Sequence, residues 1–311
     1  MPRGAKALFH HTRVAATVGA TMRHCLTLVA QRDSTTLSTA SIARVRDAVG
    51  GGALRMLSAG EAAEIALPGA PDLDAVRAAL DGVAIDVIAT PAEGRRKRLL
   101  VADMDSTIVT GETLDELADF AGLKGRISAI TARAMNGELD FKSALRERVA
   151  MLRGLPVTAL EKTWERVRLT DGARELVATM RAHGAYTALV SGGFAFFTGR
   201  VAAQIGFDMH LSNVLLDDGA ALLGRVAEPI LDRDTKLATL SQLASERGLP
   251  MSATLAVGDG ANDLDMLRAA GLGVAFHAKP IVSAEARARV DHTGLRTLLF
   301  AQGYRGEDIV C

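Results

Sequence analysis

The run Leu99-Leu100-Val101-Ala102 passes directly into Asp103-Met104-Asp105-Ser106-Thr107, and this junction limits the fold more than any other part of the chain. A short, uninterrupted apolar run reads as a parallel strand buried on both faces. Such a strand delivers its two carboxylates to the carboxyl edge of a sheet, where open α/β folds keep their chemistry. A second junction of the same kind, Leu255-Ala256-Val257 into Gly258-Asp259-Gly260-Ala261-Asn262-Asp263, lies near the other end. If both strands share a sheet, several acids meet at one edge. Like charges about 4 Å apart repel by roughly 1 kcal/mol in water and by about 4 kcal/mol at an intermediate effective dielectric. Protons or a cation must offset that repulsion, and a hard divalent ion with oxygen ligands suits it.

The rest of the chain sets bounds. A length of 311 residues, 49% of them apolar, predicts two domains with sizeable cores. With few aromatics and much Ala, Leu and Val, α/β packing is expected. The balance of 36 basic and 36 acidic residues gives no reason for bulk attraction to nucleic acid or to an acidic membrane. Cys25 and Cys311 read as a core thiol and a loose end rather than a disulfide, which fits a reducing, cytoplasmic setting. No apolar run approaches the roughly 18 residues of a membrane span. Residues 1–23 carry no acid and read as a disordered extension, or as an upstream start with Met22 as an alternative beginning.

Residues 24–93 are expected to form a small domain. Cys25–Ala30, Ala53–Ser58, Glu64–Leu67 and Val83–Ile88 read as strands, and Thr39–Val49 and Pro71–Leu80 as helices. The order βαββαβ is the ferredoxin-like pattern. Thr90–Arg98, with Pro91, Gly94 and four basic residues, reads as a linker. Residues 94–311 are expected to form the second domain. Leu114, Leu117, Ala118 and Ala121 recur at helical spacing, and the helical pattern continues over about 114–170 without a convincing strand. Alternation then resumes: helix Ala173–His183, strand Ala185–Val190, helix Ala195–Ile205, a hairpin over Leu211–Leu216 and Ala220–Val226, helix Thr235–Gly248, the Leu255 strand, helix Asn262–Ala270 and strand Gly273–Phe276. The fold class is α/β: a Rossmann-like parallel sheet with a helical cap insertion, preceded by a small α+β domain.

A carboxylate at a strand end can attack an electrophile such as phosphorus, and a second carboxyl group two residues on can protonate the leaving oxygen. Ser191-Gly192-Gly193 follows an apolar strand, and its hydroxyl and amides can hold phosphate oxygens or simply turn the chain and cap the next helix. No Gly-x-Ser-x-Gly frame supports a serine hydrolase. Lys236 falls in the first turn of a helix, where a cation opposes the helix dipole by up to about 1 kcal/mol. That placement suggests a duty toward phosphate or the attacking Asp, against the alternative of a solvated lysine. Asp259, Asn262 and Asp263 can cap a helix, bind metal or do both.

These segments, in this order, resemble the haloacid dehalogenase superfamily. The resemblance rests on Asp103 to Thr107, Gly111-Glu112-Thr113, Phe141 to Arg148, Val190 to Phe194, Lys236 and Val257 to Asp263. It runs from about Leu99 to about Leu299, including Ala278-Lys279-Pro280, with no departure at a motif position. It is closest to the members that hydrolyse O-phospho-L-serine. The resemblance implies that Asp103 is the nucleophile forming an aspartyl-phosphate, and that Asp105 is the general acid and base. It implies that Mg²⁺ is held by Asp103, Asp259 and the backbone carbonyl of Asp105, with Asp263 behind them. Ser191, Gly192, Lys236 and Asn262 would bind phosphate. Glu112 would pair with the substrate amino group and Arg148 with its carboxylate, under a cover formed by Phe141. Read without the resemblance, Glu112 and Arg148 are ordinary helix-surface charges and Phe141 a core residue. The N-terminal region resembles, more loosely, the small regulatory-type (ACT-like) domain that some members carry. Two other functions remain open at this point: action on a different small phosphorylated metabolite, and an amino-acid-binding regulatory role. The sequence leaves the oligomeric state open, with a homodimer as one assembly.

Overall fold

The structure is a computed structural model that describes residues 22–135 and 139–311. The extension expected over 1–23 lies outside the described residues except for its last two. Of these, Arg23 is already held: its N–H donates to Leu67 O and its carbonyl accepts from Ala92 N.

The first sheet contains β1 (His24–Ala30), β2 (Ala53–Ser58), β3 (Ala62–Leu67) and β4 (Ile85–Pro91), with α1 (Thr39–Ala48) and α2 (Leu73–Leu80) as crossovers. Its order β2-β3-β1-β4 is antiparallel throughout. One face buries Leu26, Leu28 and Ile65 against Val45 of α1 and Val76 of α2. The last strand begins and ends later than its apolar pattern predicts, and it includes Thr90 and Pro91. The basic segment that follows is pinned rather than free. Arg95 pairs with Glu64 at 2.7 Å, and Lys97 Nζ donates to Gly94 O and Ser252 O. Sequence alone shows such charges as solvated because their partners lie far along the chain.

The second sheet is parallel, in the order β12-β11-β10-β5-β6-β7. Its strands are β5 (Leu99–Ala102), β6 (Tyr186–Phe194), β7 (Met209–Asn213), β10 (Thr254–Gly258), β11 (Leu272–Phe276) and β12 (Ala288–Val290). Between β5 and β6 lie α3 (Thr113–Phe120), α4 (Lys124–Met135), α5 (Phe141–Ala150), α6 (Thr158–Trp164) and α7 (Ala173–Ala182). The later connections use α8 (Ala195–Ile205), the hairpin β8 (Leu215–Asp217) and β9 (Leu222–Val226), α9 (Arg233–Glu246), α10 (Leu264–Ala269), α11 (Pro280–Glu285) and α12 (Thr297–Ala301). Leu99 and Val101 of β5 enter one core and Leu100 and Ala102 the other, which is why the run carries no polar alternation.

Two expectations change. Met209–Asn213 is an edge strand of the large sheet, and the hairpin begins only at Leu215. Val214 alone separates the two strands, too short a break for a pattern to register. The helix expected from Asn262 starts as a 3₁₀ turn over Ala261–Asp263 and becomes α-helical at Leu264. The chain leaves β5 for β6 on one side, while β10 lies on the other. The strand order therefore reverses beside β5, the place where open α/β sheets bind ligands.

Candidate active site

Asp103 continues the β5 ladder, its N–H donating to Val257 O of β10 at 3.0 Å. The chain then turns sharply through Met104–Ile108, with Ser106 in the left-handed region at φ 54°. This turn aims Asp103 and Asp105 into the same crevice. Asp103 Oδ1 accepts from the Met104 amide at 2.8 Å and from Lys236 Nζ at 2.8 Å. Asp105 Oδ1 accepts from the Thr113 amide at 2.8 Å, and Ser191 Oγ stands 3.4 Å from its other oxygen.

Opposite them, the loop after β10 packs so closely that a Cβ at Gly258 would collide with Asp263, and one at Gly260 with Asn262. Asp263 is completely buried. Its Oδ1 accepts from Lys236 Nζ at 2.6 Å and its Oδ2 from the Gly260 amide at 3.0 Å. Lys236, 2% exposed on the first turn of α9, thus lies between two carboxylates. The cation set against its helix dipole is explained by these partners.

Ligand oxygens of Asp103, Asp259 and Asp263 all lie within 4.8 Å of one another. With one buried cation against three acids, the cluster carries excess negative charge, and carboxylate oxygens are the donors a hard divalent ion prefers. Both Asp263 oxygens already accept hydrogen bonds, so Asp103 and Asp259 are the better placed to face a metal. Burial pushes the Asp259 carboxyl up to about 6, with Asp263 adding to the rise. Burial likewise pushes Asp105 up to about 7, helped by the charge of Glu112. Asp103 is raised by burial and by Asp263 against the pull of Lys236. Burial alone would lower Lys236, but Asp103 and Asp263 reverse this and keep it charged.

A cavity of about 430 Å³ opens over the cluster. Asp103, Asp105, Glu112, Phe141, Arg148, Ser191, Gly192, Asp259 and Asn262 all line it. Lys236 and Asp263 stand behind the wall, in contact through Asp103. The far end is built by the helical insertion. Ser106 Oγ donates to Glu112 at 2.7 Å, fixing that carboxylate at the start of α3. Arg148 is largely buried on α5, and burial lowers its pKa while Asp115 and Glu112 act the other way. Phe141 lies against Gly192, where a Cβ would come within 3.1 Å of its ring.

Sequence reasoning gave no role to Asn213 or Lys279. The buried Asn213 donates to Gly192 O at 2.8 Å and to Leu231 O at 3.3 Å, and accepts from Leu231 N at 2.8 Å. It ties the Ser191 loop to the segment leading into α9 and Lys236. Lys279 lines the cavity, its Nζ 3.9 Å from Asp259.

The open α/β sheet thus gathers a strand-end carboxylate, a second acid, a buried lysine and a three-carboxylate cluster at the point where its strand order reverses. The sequence matches the haloacid dehalogenase-like hydrolase family over residues 100–268, and the chain belongs to that family. It is 43% identical over 235 residues to phosphoserine phosphatase of Streptomyces coelicolor, a match covering 76% of this chain and 57% of that one. It is 48% identical over 214 residues to phosphoserine phosphatase of Mycobacterium tuberculosis, covering 68% and 52%. The chain thus spans just over half the length of these two relatives. The crystal structure of a family hydrolase from Salmonella enterica superposes with a TM-score of 0.79 at 28% identity, covering 89% of this chain and 98% of that one. No helix among the described residues is long and apolar enough to cross a membrane.

Proposed function

We propose that the chain hydrolyses O-phospho-L-serine to L-serine and inorganic phosphate, with Mg²⁺ held by Asp103, Asp259 and the backbone carbonyl of Asp105. The carrying observation is that one cavity is lined by the paired carboxylates Asp103 and Asp105 together with Glu112 and Arg148. A zwitterionic amino acid needs an anion and a cation to hold it, and Arg suits a bidentate carboxylate contact. The relatives named phosphoserine phosphatase support the same reading.

A bound Mg²⁺ would offset the charge of the cluster and of the phosphoryl oxygens. Asp103 attacks phosphorus as the bond to the serine Oγ breaks, and Asp105, protonated near neutrality, gives that oxygen its proton. The ionised Asp105 then takes a proton from water, whose oxygen attacks the aspartyl-phosphate and frees phosphate and Asp103. Ser191, the Gly192 amide and Asn262 hold the phosphoryl group, and Lys236, reaching it from behind Asp103, balances the charge passed to that residue. Asp263 keeps Lys236 in place. Phe141 closes the cavity over the substrate.

The test is phosphate release from phosphoserine beside a panel of other small phosphate esters, with Mg²⁺ and with chelator. The expected outcome is a kcat/KM for phosphoserine well above the rest, abolished by chelator. A preference for another ester would keep the phosphatase and discard the substrate; indifference to chelator would discard the metal.

A further inference from the structure

Among the described residues, four that are not glycine adopt a left-handed backbone: Asp33, Asp81, Ser106 and His277. Such strain persists where surroundings over-determine it and gathers at functional sites. Ser106 belongs to the nucleophile turn. His277, at φ 43°, directly follows β11 and has no part in the mechanism above.

Three contacts hold it. Its N–H donates to Val290 O at 2.8 Å, its ring stacks edge-on against Phe276, and its Nε2 lies 2.8 Å from Thr293 O. A carbonyl only accepts, so Nε2 carries the proton. Thr293 is fixed in turn from the other domain. Asp86 of β4, 3% exposed, accepts from Asp291 N at 2.8 Å, His292 N at 3.2 Å, Thr293 N at 2.9 Å and Thr293 Oγ1 at 2.6 Å. Two residues beyond His277, the Lys279 amide donates to Asp259 O at 3.2 Å, and its side chain lines the acidic side of the cavity.

We propose that Lys279 helps hold the substrate's phosphoryl group, and that His277 is a positioning residue for it, locked through Thr293 by Asp86 of the N-terminal sheet. This rests on the phosphatase reading above. The small domain is then part of the active-site scaffold, because removing its carboxylate loosens the turn that carries Lys279.

The experiment measures the Kd of inorganic phosphate by calorimetry on the full chain with Mg²⁺. It is run for the wild type, Lys279→Met, His277→Gly, Asp86→Asn and the two double variants with Lys279→Met. Glycine adopts the left-handed backbone freely, so His277→Gly removes the ring without straining the turn. Losing one charge-assisted contact to phosphate predicts about tenfold weaker binding for Lys279→Met. His277→Gly and Asp86→Asn each weaken binding several-fold, and KM for phosphoserine rises in parallel. In the Lys279→Met background neither has any further effect, which a merely structural role would not produce. Wild-type binding by His277→Gly, or losses that add in full to that of Lys279→Met, would overturn the proposal. If Asp86→Asn does not fold, the His277 pair decides alone. A wild type that binds phosphate and shows this coupling, yet leaves phosphoserine intact, would sink the substrate reading and spare this one.

Discussion

At the sheet end of the cavity the charged groups already hold one another. Asp103 accepts from a backbone amide and from Lys236, Asp105 accepts from the Thr113 amide, and Asp263 has both oxygens occupied. At the helical end the contacts of Arg148 among the described residues are long, 3.3 Å to Ala144 O and 3.5 Å to Thr131 Oγ1, and no described carboxylate lies within ion-pair distance of it. Glu112 is held by a single hydroxyl and is exposed. The difference separates two tasks. Groups that meet charge as it develops are fixed beforehand, so the reaction spends little on reorganising them. Groups that choose the substrate keep unspent charge, which only a ligand of the right shape satisfies.

Substitutions at the two ends should therefore fail in different ways. The largest effect is expected from Asp103→Asn. The amide keeps the size of the carboxylate but cannot attack phosphorus, so kcat should fall by about four orders of magnitude or more. Lys236 retains Asp263, so circular dichroism and the melting profile should still report a folded chain. Turnover close to that of the wild type would remove Asp103 as nucleophile.

Arg148→Ala should give the next largest effect, and it should depend on the substrate. A hydrogen-bonded charge contact is worth about 2–3 kcal/mol, so KM for phosphoserine should rise by about 30- to 150-fold. An aryl phosphate has no carboxylate to lose, and its KM should change little. Equal increases for both would show that Arg148 supports the cap rather than reading the substrate.

The same division governs what the sequence made legible. The sheet end announces itself because burial on two faces forces an uninterrupted apolar run, and a strand must deliver whatever follows it. Leu99–Ala102 into Asp103, and Leu255–Val257 into Asp259, could be placed for that reason. Lys236 showed as a charge at odds with its helix. Glu112 and Arg148 carried no such mark, since a helix surface normally bears charges at that spacing, and only the resemblance singled them out. Asn213 and His277 were silent for a different reason. Their work is to bond backbone carbonyls brought near by folding, Gly192 and Leu231 for one and Thr293 for the other. The C-terminal elements escaped as well, because β12 has three residues and α12 five, too few to establish a period.

The smallest effect tests the sheet end without a mutation. Asp259 stands at about 6 because burial and Asp263 oppose its charge, so the metal-free protein holds a proton there that the unfolded chain has lost. From its ordinary value up to about 6 the native state binds more protons than the unfolded one. The contribution of this group to stability therefore falls as pH rises through that window and levels off above it. Mg²⁺ reverses the dependence, because it binds the ionised carboxylate and must displace the proton. Its apparent affinity should drop as pH falls through about 6, by about tenfold per pH unit for the Asp259 proton alone, and the raised Asp103 adds to that slope. In melting experiments Mg²⁺ should then raise Tm clearly at about pH 8 and much less at about pH 5. Arg148→Ala should leave this difference intact, because among the described residues the carboxylates of the cluster are Asp103, Asp259 and Asp263, all outside the helical insertion. An equal Mg²⁺ shift at both pH values would mean that the ion binds elsewhere than at Asp103 and Asp259.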